Sequence, residues 1–550
     1  MKINIKIASL LAVAACFSAC ELDTMPEGGT VTDKQKEEVV EMKPERIAAD
    51  VANLASSMFS QFSVGGKQYY AIDFGLPSVC IANDYNGADM VCVDNDFNWY
   101  TPACDYTDRD PGYIVPYVEW TFYYDYLKAA NDVLKAIPAD TENQTLKYYR
   151  GPALSARAFA LFGLVQRFQL TYKGHEDLPS IPVVLDDMSA DDAANNPRAS
   201  VGSVYEQIQK DLSEAIGLLD GFDRPNKSTI NQQVAYGIRA RVNLVMNNWN
   251  EAAADAAKAM VGYTPYTPSD LARPTFQDGS HGAWIWGCII NESDLISTGN
   301  HTWQGWLGSL NSGYTTRQSC YARCNVELYK KIPATDVRKG WWVDENLESP
   351  LINDLTWPGQ PGKPIGSLVI AEQKQKFYPY TNVKFGPDGN KVGNTINAGD
   401  WPLMRAEEML LIQAEATGMS GDLNGGKQLL ESFVQTYRDP AYTSKATNAE
   451  EFQNEIWFQR RVELWGEGFA ANDLMRLKKP LVRFHNATKA ESNFPDAFRF
   501  NIPAEDPIFL CRIPRSEINA NGGISDEDNN NGGTYPTPDQ NPTLLDGVTD

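Results

Sequence analysis

The stretch VAYGIRARVNLVMNNWNEAAADAAKAM, residues 234–260, decides how this chain folds. Its apolar residues recur at helical spacing and predict two helices, 231–247 and 249–262, joined by a short connection. Three small residues follow one another at intervals of 12 and 7 positions: Ala240, Ala252 and Ala259. That spacing is typical of a tetratricopeptide repeat, in which two antiparallel helices pack closely. The stretch therefore predicts a helical-repeat scaffold.

Helical patterns continue on both sides of this pair. After Ser203, one helical face carries Val204, Ile208, Leu212, Ile216 and Leu219. Ser203 and Glu206 have the spacing of a capping box, and Thr447 and Glu450 repeat it before a helix through residues 456–460. Further helices are predicted near 43–62, 117–137, 145–170, 404–418, 423–436 and 467–477.

The remaining stretches are rich in Gly, Pro, Asn and aromatic residues and lack helical period. One strand, Ala283–Ile290, is predicted among them and would place Trp284 and Trp286 in the core. We expect a mainly α fold: a tetratricopeptide-like scaffold interwoven with a loop-rich half that contains a few short strands. The predicted scaffold covers about 43–70, 117–262 and 401–477, and the loop-rich half covers about 71–116, 263–400 and 478–550. Together, residues 42–550 would form a single unit, with 521–550 as loop or frayed tail.

The N-terminus has the parts of an export signal. Lys2 and Lys6 precede an uncharged, mostly apolar run that ends at Phe17, and Ser18-Ala19-Cys20 follow. The run is shorter than the ~20 residues of a membrane-spanning helix. The end of the signal resembles a bacterial lipobox, which implies a signal peptide over 1–19, a lipid on Cys20 and a tether over 20–41. An ordinary signal peptide with an incidental cysteine is the alternative.

Charge excludes some classes of partner. The chain has 71 Asp and Glu against 48 Lys and Arg, a formal net charge of −23 at pH 7. Such acidity disfavours nucleic acid and anionic lipid as direct partners. The membrane would be reached through the lipid anchor only.

Catalytic and metal motifs are sparse. The four histidines, 175, 281, 301 and 485, lie in no recognisable nucleophile or metal motif. Cys320 and Cys324 lack the further ligands of a zinc site, and the seven cysteines after Cys20 are expected to be mostly buried thiols. Asp94, Asp96, Asn98 and Asp105 echo a calcium loop, but Trp99 occupies the position that requires glycine. We expect a solvated acidic loop and no cofactor, with a structural calcium as the alternative.

In order along the chain, several segments resemble the SusD/RagB family of nutrient-binding outer-membrane lipoproteins. They are YLKAANDVLKAI (126–137), RGPALSARAFALFGLVQRF (150–168), Leu178-Pro179, SVYEQIQKDLSEAIGLL (203–219), 234–260, LYKKIPATDVRKGWW (328–342), PLMRAEEMLLIQAEA (402–416), QRRVELWGEGFAANDLMRL (459–477) and RIPRSEINAN (512–521). The resemblance implies four tetratricopeptide-like helix pairs backing an irregular half. It also implies a protein on the cell surface that captures an oligomer and delivers it to a SusC-like TonB-dependent transporter. The Arg and Glu residues of these motifs, at helical spacing, are predicted to form ion pairs that lock helices together.

Aromatic residues in predicted loops are the candidates for ligand binding. Flat aromatic faces suit sugar rings, and polar neighbours can bind the hydroxyls. We predict a binding surface built from Trp99, Trp303, Trp306 and Tyr314, with Asn98 and Arg317 as polar partners. Capture of a peptide, as on the RagB side of the family, is the alternative. A surface glycosidase is a third, because two carboxylates at the required separation cannot be recognised by counting acids.

Overall fold

A computed structural model gives the structure of the chain and describes residues 33–59, 72–107, 109–292, 302–358 and 377–550. The α-helices of the described part are α1 (Asp33–Met42), α2 (Ala48–Ser56), α3 (Leu76–Tyr85), α4 (Thr101–Asp105), α5 (Ile114–Ala136), α6 (Gln144–Phe168), α7 (Ala190–Ala193), α8 (Val201–Leu218), α9 (Gln232–Met246), α10 (Trp249–Ala259), α11 (Trp303–Leu307), α12 (Tyr314–Gln318), α13 (Val326–Lys331), α14 (Ala406–Met419), α15 (Leu423–Tyr437), α16 (Ala449–Glu463), α17 (Ala470–Arg476) and α18 (Arg515–Ala520). The described strands are short: β1 (Met90–Val91), β2 (Trp284–Cys288), β3 (Arg323–Cys324) and β4 (Trp401–Arg405). The predicted mainly α fold is confirmed.

The helices form a stack in which each long helix packs on the next. α5 packs on α6, α6 on α8, α9 on α10, α10 on α14, and α14 on both α15 and α16. Ala240, Ala252 and Ala259 are fully buried, and side chains of that size let α9 and α10 approach closely. The helix pair predicted from their spacing is confirmed.

Two helix starts differ from the prediction by a short step. α8 begins at Val201, and the Ser200 side chain, not that of Ser203, caps it by accepting the Ser203 N–H at 3.1 Å. α16 is capped by Asn448, which accepts the Glu451 N–H at 3.0 Å. Both predicted capping boxes were wrong because a second residue with a capping side chain lies nearby, and that residue has the extended backbone that a cap requires.

The strands connect the loop-rich half to the helices. β2 pairs antiparallel with β4, and β4 runs directly into α14. Trp284 and Trp286 are fully buried, as predicted. β1 pairs antiparallel with β3, with Met90 opposite Cys324 and Val91 opposite Arg323. One hydrophobic cluster includes residues of both halves, so the loops share the core of the helices.

A buried network of arginines, one lysine and carboxylates joins β4, α14, α15 and α16 to the loops. We call it the arginine–carboxylate network; its members are Asp336, Arg338, Lys384, Arg405, Glu407, Arg438, Glu463 and Glu467. Glu463 accepts from Arg438 at 2.7 Å and from Arg338 and Arg405 at 3.3 Å each. Burial alone would raise the pKa of Glu463, but the three guanidinium groups outweigh it and hold that pKa far below its ordinary value. The predicted structural role of these motif residues is confirmed.

The predicted lipid anchor lies outside the described residues. Residues 1–32 contain the predicted signal, Cys20 and the first part of the predicted tether, 20–41. The later part of that tether belongs to α1, and Glu41 accepts a hydrogen bond from the Thr141 hydroxyl at 3.0 Å. Within the described ranges, no helix combines the length and the apolar character needed to cross a bilayer.

Residues 521–550 form a loop, as predicted, but this loop is anchored rather than frayed. The Asn530 side chain donates to the Phe168 carbonyl at 2.7 Å and to the Cys511 carbonyl at 2.9 Å. Asp546 accepts from Arg461 at 2.7 Å in a buried ion pair. Polar composition predicted the lack of α-helix but could not reveal these distant partners.

Candidate functional site

The candidate site is built on the connection between β1 and α4, residues 92–100, which we call the Trp99 loop. Its start is fixed by the β1–β3 pairing. Its far end is fixed by Tyr100, which is buried between the rings of Tyr85, 5.5 Å away, and Trp306, 4.9 Å away. The Tyr100 hydroxyl also shares a 2.9 Å hydrogen bond with that of Ser78. The loop therefore rests on the core at both ends.

Asn98 organises the interior of the loop. Its side-chain amide donates to the Cys92 sulfur at 3.1 Å and to the Val93 carbonyl at 3.3 Å, and its side-chain oxygen accepts the Tyr100 N–H at 3.1 Å. Only 5% of Asn98 is exposed. The prediction of Asn98 as a polar ligand contact is therefore wrong: its amide is used to shape the loop.

Trp99 projects from this frame. Its side chain is 42% exposed, and Phe97 is 53% exposed. Beneath Trp99 lies a hollow of about 20 Å³, whose walls include Ser78 and Val79 of α3 and Val115 and Val118 of α5. A large ring that is part-seated on apolar side chains and part-open to solvent can stack on the apolar face of another molecule.

Trp303 and Trp306 lie next to this loop but inside the core. Each is only 1% exposed. The Trp303 indole N–H donates to the Gly399 carbonyl at 2.7 Å, and its ring packs edge-on against Phe385 and Trp401. Both were predicted to stack on ligand, and that prediction is wrong because neither ring has a face left for one.

The other loop tryptophans, Trp341, Trp342 and Trp357, are buried too. Trp341 and Trp342 belong to the main hydrophobic cluster, whereas Trp357 packs against Val392 in a small cluster apart from it.

Tyr314 and Arg317 lie on α12, and their side chains are outside the described part of the structure. The helix itself adjoins the Trp99 loop: Asn95 donates to the Gln318 carbonyl at 3.3 Å, and the Cys320 thiol donates to the Asn95 side-chain oxygen at 3.4 Å. The six predicted residues therefore come from segments that lie side by side. Of the four whose side chains are described, Asn98, Trp303 and Trp306 are buried and support the structure, whereas Trp99 is exposed.

Sequence reasoning did not single out Phe97 and Tyr113, two further exposed aromatic residues near Trp99. Tyr113 is 48% exposed at the start of α5, two residues before Val115, which lines the hollow beneath Trp99. Its position is fixed by the Asp110 carbonyl, which accepts the Tyr113 N–H at 3.0 Å. The Pro-Gly pair at 111–112 could have indicated an exposed turn, but nothing in the sequence shows that this turn adjoins the Trp99 loop.

Charge around Trp99 is acidic. Asp94 and Asp96 are exposed on the loop. Asp105 accepts from both the backbone and the hydroxyl of Thr107, at 2.9 and 2.6 Å. In the described ranges, no three His, Cys, Asp or Glu side chains are grouped so that they could hold a metal ion. The surface therefore disfavours anionic ligands and is compatible with ligands that offer hydrogen-bond donors to carboxylates.

Comparison with known protein families gives evidence on the family of this chain that is independent of the geometry above. Residues 80–244, which include the Trp99 loop, match a family model described as starch-binding and associating with the outer membrane. Residues 356–532 match the model of the SusD family. Together the two models cover more than half of the chain. The chain belongs to the SusD family.

Solved structures of SusD-like proteins have the same fold. A SusD-like carbohydrate binding protein from Bacteroides vulgatus is 22% identical, with a TM-score of 0.68 over 87% of this chain and 97% of that one. A SusD-like carbohydrate binding protein from Bacteroides fragilis is 13% identical, with a TM-score of 0.63 over 88% of this chain and 100% of that one. A SusD superfamily protein from Parabacteroides distasonis is 18% identical, with a TM-score of 0.63 over 92% and 100%. No curated protein sequence matches the chain.

Proposed function

We propose that this SusD-family chain is a surface glycan-binding lipoprotein, which captures oligosaccharides and delivers them to a SusC-like TonB-dependent transporter. The observation that carries the proposal is the exposed Trp99 ring on a loop anchored at both ends. Matches to a model described as starch-binding, and the fold of SusD-like carbohydrate binding proteins, support a sugar as ligand.

Binding would need no covalent chemistry. The indole face of Trp99 would stack on the C–H groups of a sugar ring, and Asp94 and Asp96 would accept hydrogen bonds from its hydroxyls. Because Asn98 and Tyr100 hold the loop in place, little conformational freedom would be lost on binding. Affinity would then depend on how many rings the ligand can lay along this face.

Trp99→Ala tests the site directly. We expect it to reduce the affinity for the best ligand of a glycan array at least tenfold, measured by isothermal titration, because the stacking face is removed. Val261→Ala is the matched control, since it also truncates an exposed apolar side chain, 65% exposed, beyond the end of α10. Equal affinity of the two variants would refute the Trp99 site.

The same array separates the alternatives. Glycan binding without cleavage products in the mixture supports a binding protein. Released oligosaccharides would instead establish a glycosidase. Binding of peptides together with failure on every glycan would establish the RagB-like alternative.

Lipid attachment at Cys20 and a place on the outer membrane complete the proposal. Cys20→Ala should leave glycan affinity unchanged and release the protein from cells, measured by surface labelling. Co-purification of the wild-type chain with a TonB-dependent transporter from solubilised membranes tests the partner. Loss of glycan binding in Cys20→Ala would contradict a purely tethering role.

A further inference from the structure

A second concave surface lies along α16, away from the residues of the Trp99 loop. This α16 groove has a volume of about 700 Å³ and runs between α16, the connection from α15 to α16, and the loop after α13. Among the residues that line it are Thr335, Tyr442, Thr443, Asn454 and Phe458. Its volume falls within the range of roughly 300–1,000 Å³ typical of sites for small molecules.

Two aromatic rings give the groove an apolar face. Tyr442 and Phe458 both line it, and both are half-buried, so part of each ring remains accessible. Ala446 and Val548 extend the apolar lining. Half-accessible rings of this kind can stack on the apolar side of a sugar.

Polar groups also face the groove. The Asn454 side-chain oxygen is buried and has no hydrogen-bond partner within the described residues. Because that oxygen has no accessible surface, the groups that Asn454 offers to a ligand in the groove are the N–H donors of its amide. The hydroxyls of Thr335 and Thr443 and the ammonium group of Lys445 add further hydrogen-bonding groups on exposed residues of the lining.

The wall formed by residues 442–445 is already in place. The Glu455 carboxylate accepts hydrogen bonds from the Tyr442 hydroxyl at 3.3 Å, the Ser444 hydroxyl at 2.5 Å and the Lys445 N–H at 2.7 Å. Glu431 accepts the Ser444 N–H at 2.9 Å. Because these bonds fix the connection, a ligand would not have to order it.

The charge of the groove selects the class of ligand. Among the described residues that line it are three carboxylates, Asp439, Glu451 and Glu455, and one cation, Lys445. This excess of carboxylates disfavours phosphates, sulfated sugars and uronic acids. Neutral polyhydroxylated molecules remain compatible, since their hydroxyls can donate to carboxylates and accept from the Asn454 amide.

We propose that the α16 groove is a second binding site for neutral oligosaccharides, separate from the Trp99 surface. The inference rests on the proposed glycan-binding function and extends it. Two sites on one chain would bind a glycan long enough to span them at two points and a shorter one at a single point. Such bivalent binding raises affinity by roughly 10²–10⁴ when the ligand spans both sites, so the chain would prefer polymers to short oligomers.

Thr443→Trp tests the groove, because an indole at this exposed lining position would fill it without disturbing the core. Val261→Trp is the matched control, with the same bulk added at an exposed position outside the groove. The probes are neutral glycans of two lengths: maltohexaose with soluble starch, and xylohexaose with soluble xylan. For the pair that binds wild type, we expect Thr443→Trp to lower affinity for the polymer at least tenfold and affinity for the hexasaccharide no more than threefold.

A double variant that combines Trp99→Ala with Thr443→Trp distinguishes the Trp99 site from the α16 groove. Residual binding in Trp99→Ala that disappears in the double variant supports the groove. Complete loss in Trp99→Ala, with Thr443→Trp equal to its control, overturns the groove and leaves the Trp99 site standing. Full binding in Trp99→Ala, abolished by Thr443→Trp, refutes the Trp99 site instead. Absence of binding to these four probes and to every glycan of the array overturns both.

Asn454→Ala provides a check that adds no bulk. It should reduce polymer affinity threefold to tenfold, the effect of one lost hydrogen bond. An unchanged affinity in a folded Asn454→Ala variant, together with loss of transporter binding in Thr443→Trp, would show that the groove serves a protein partner and would overturn the proposal.

Discussion

The arginine–carboxylate network and the Trp99 loop place their polar and aromatic groups in opposite ways. In the network, Glu463 is fully buried and its charge is balanced by three guanidinium groups. In the Trp99 loop, the buried side chain of Asn98 hydrogen-bonds to the backbone, and the Trp99 ring is 42% exposed to solvent. The first region fixes the scaffold, and the second presents a surface. The contrast teaches that the charged motifs of this chain hold its fold, whereas the ligand contact that we propose is made by a loop without a motif.

The largest effect should follow from Glu463→Ala. Removing this carboxylate leaves three buried guanidinium groups without their shared partner, so we expect a loss of about 3–5 kcal/mol of unfolding free energy. Urea unfolding followed by circular dichroism measures it. Glu450→Ala, at an exposed position of the same helix, should cost less than about 1 kcal/mol. Similar costs for the two variants would contradict a central role for the network.

Trp303→Ala and Trp99→Ala should show which of the two tryptophans belongs to the core and which to the surface. Trp303 is buried against Phe385 and Trp401, so its truncation should cost about 3–5 kcal/mol. Trp99→Ala should cost less than about 1 kcal/mol while reducing glycan affinity. If Trp99→Ala unfolds the protein as readily as Trp303→Ala does, Trp99 is part of the core and not a binding face.

Asp84 should give the protein a pH dependence opposite in sign to that of the network. Burial raises the pKa of Asp84 to about 7, despite the hydrogen bonds donated by the N–H groups of Gly468 and Ala470. Between pH 4 and 7 the native state therefore binds more protons at this position than the unfolded state, and stability falls as pH rises, by up to about 1.4 kcal/mol per unit. Glu463 and Glu467, with lowered pKa values, contribute stability that is lost as pH falls below 4.5.

Asp84→Asn isolates that contribution. Unfolding free energies of both proteins at half-unit steps from pH 4 to 8 should show a wild-type decline that the variant lacks. A constant difference between the two curves would mean that Asp84 is ionised throughout this range.

The smallest effect tests the edge of the scaffold. Ser200→Ala removes the cap of α8 and should cost about 1 kcal/mol, whereas Ser203→Ala should cost less than about 0.5 kcal/mol. Thermal unfolding of both variants measures the difference. The reverse order would restore Ser203 as the cap predicted from sequence.

Prediction from sequence succeeded where the signal is local and periodic. Ala240, Ala252 and Ala259 could be recognised because helix packing imposes a spacing that the sequence displays. Trp303 and Trp306 could not be placed, because their burial depends on distant partners. Phe385 and Trp401 lie about 80–100 positions after Trp303, and Tyr100 lies about 200 positions before Trp306. Asn98 failed for a related reason: the same amide can bind a ligand or shape a loop, and only the fold shows which. Trp99 alone, among the described candidates, has the exposure that the hypothesis required.

Arg461 carries a consequence for how the chain reaches this structure. Its guanidinium group pairs with Asp89, 372 positions earlier, and with Asp546, 85 positions later. Contacts of such high contact order form slowly, because long loops must close before the ion pairs can form. The buried ion pairs of Arg461 cannot be completed until residue 546 has been synthesised. Until then Arg461 lacks one of its two buried partners, so yield during production should depend on how quickly the late segment is added.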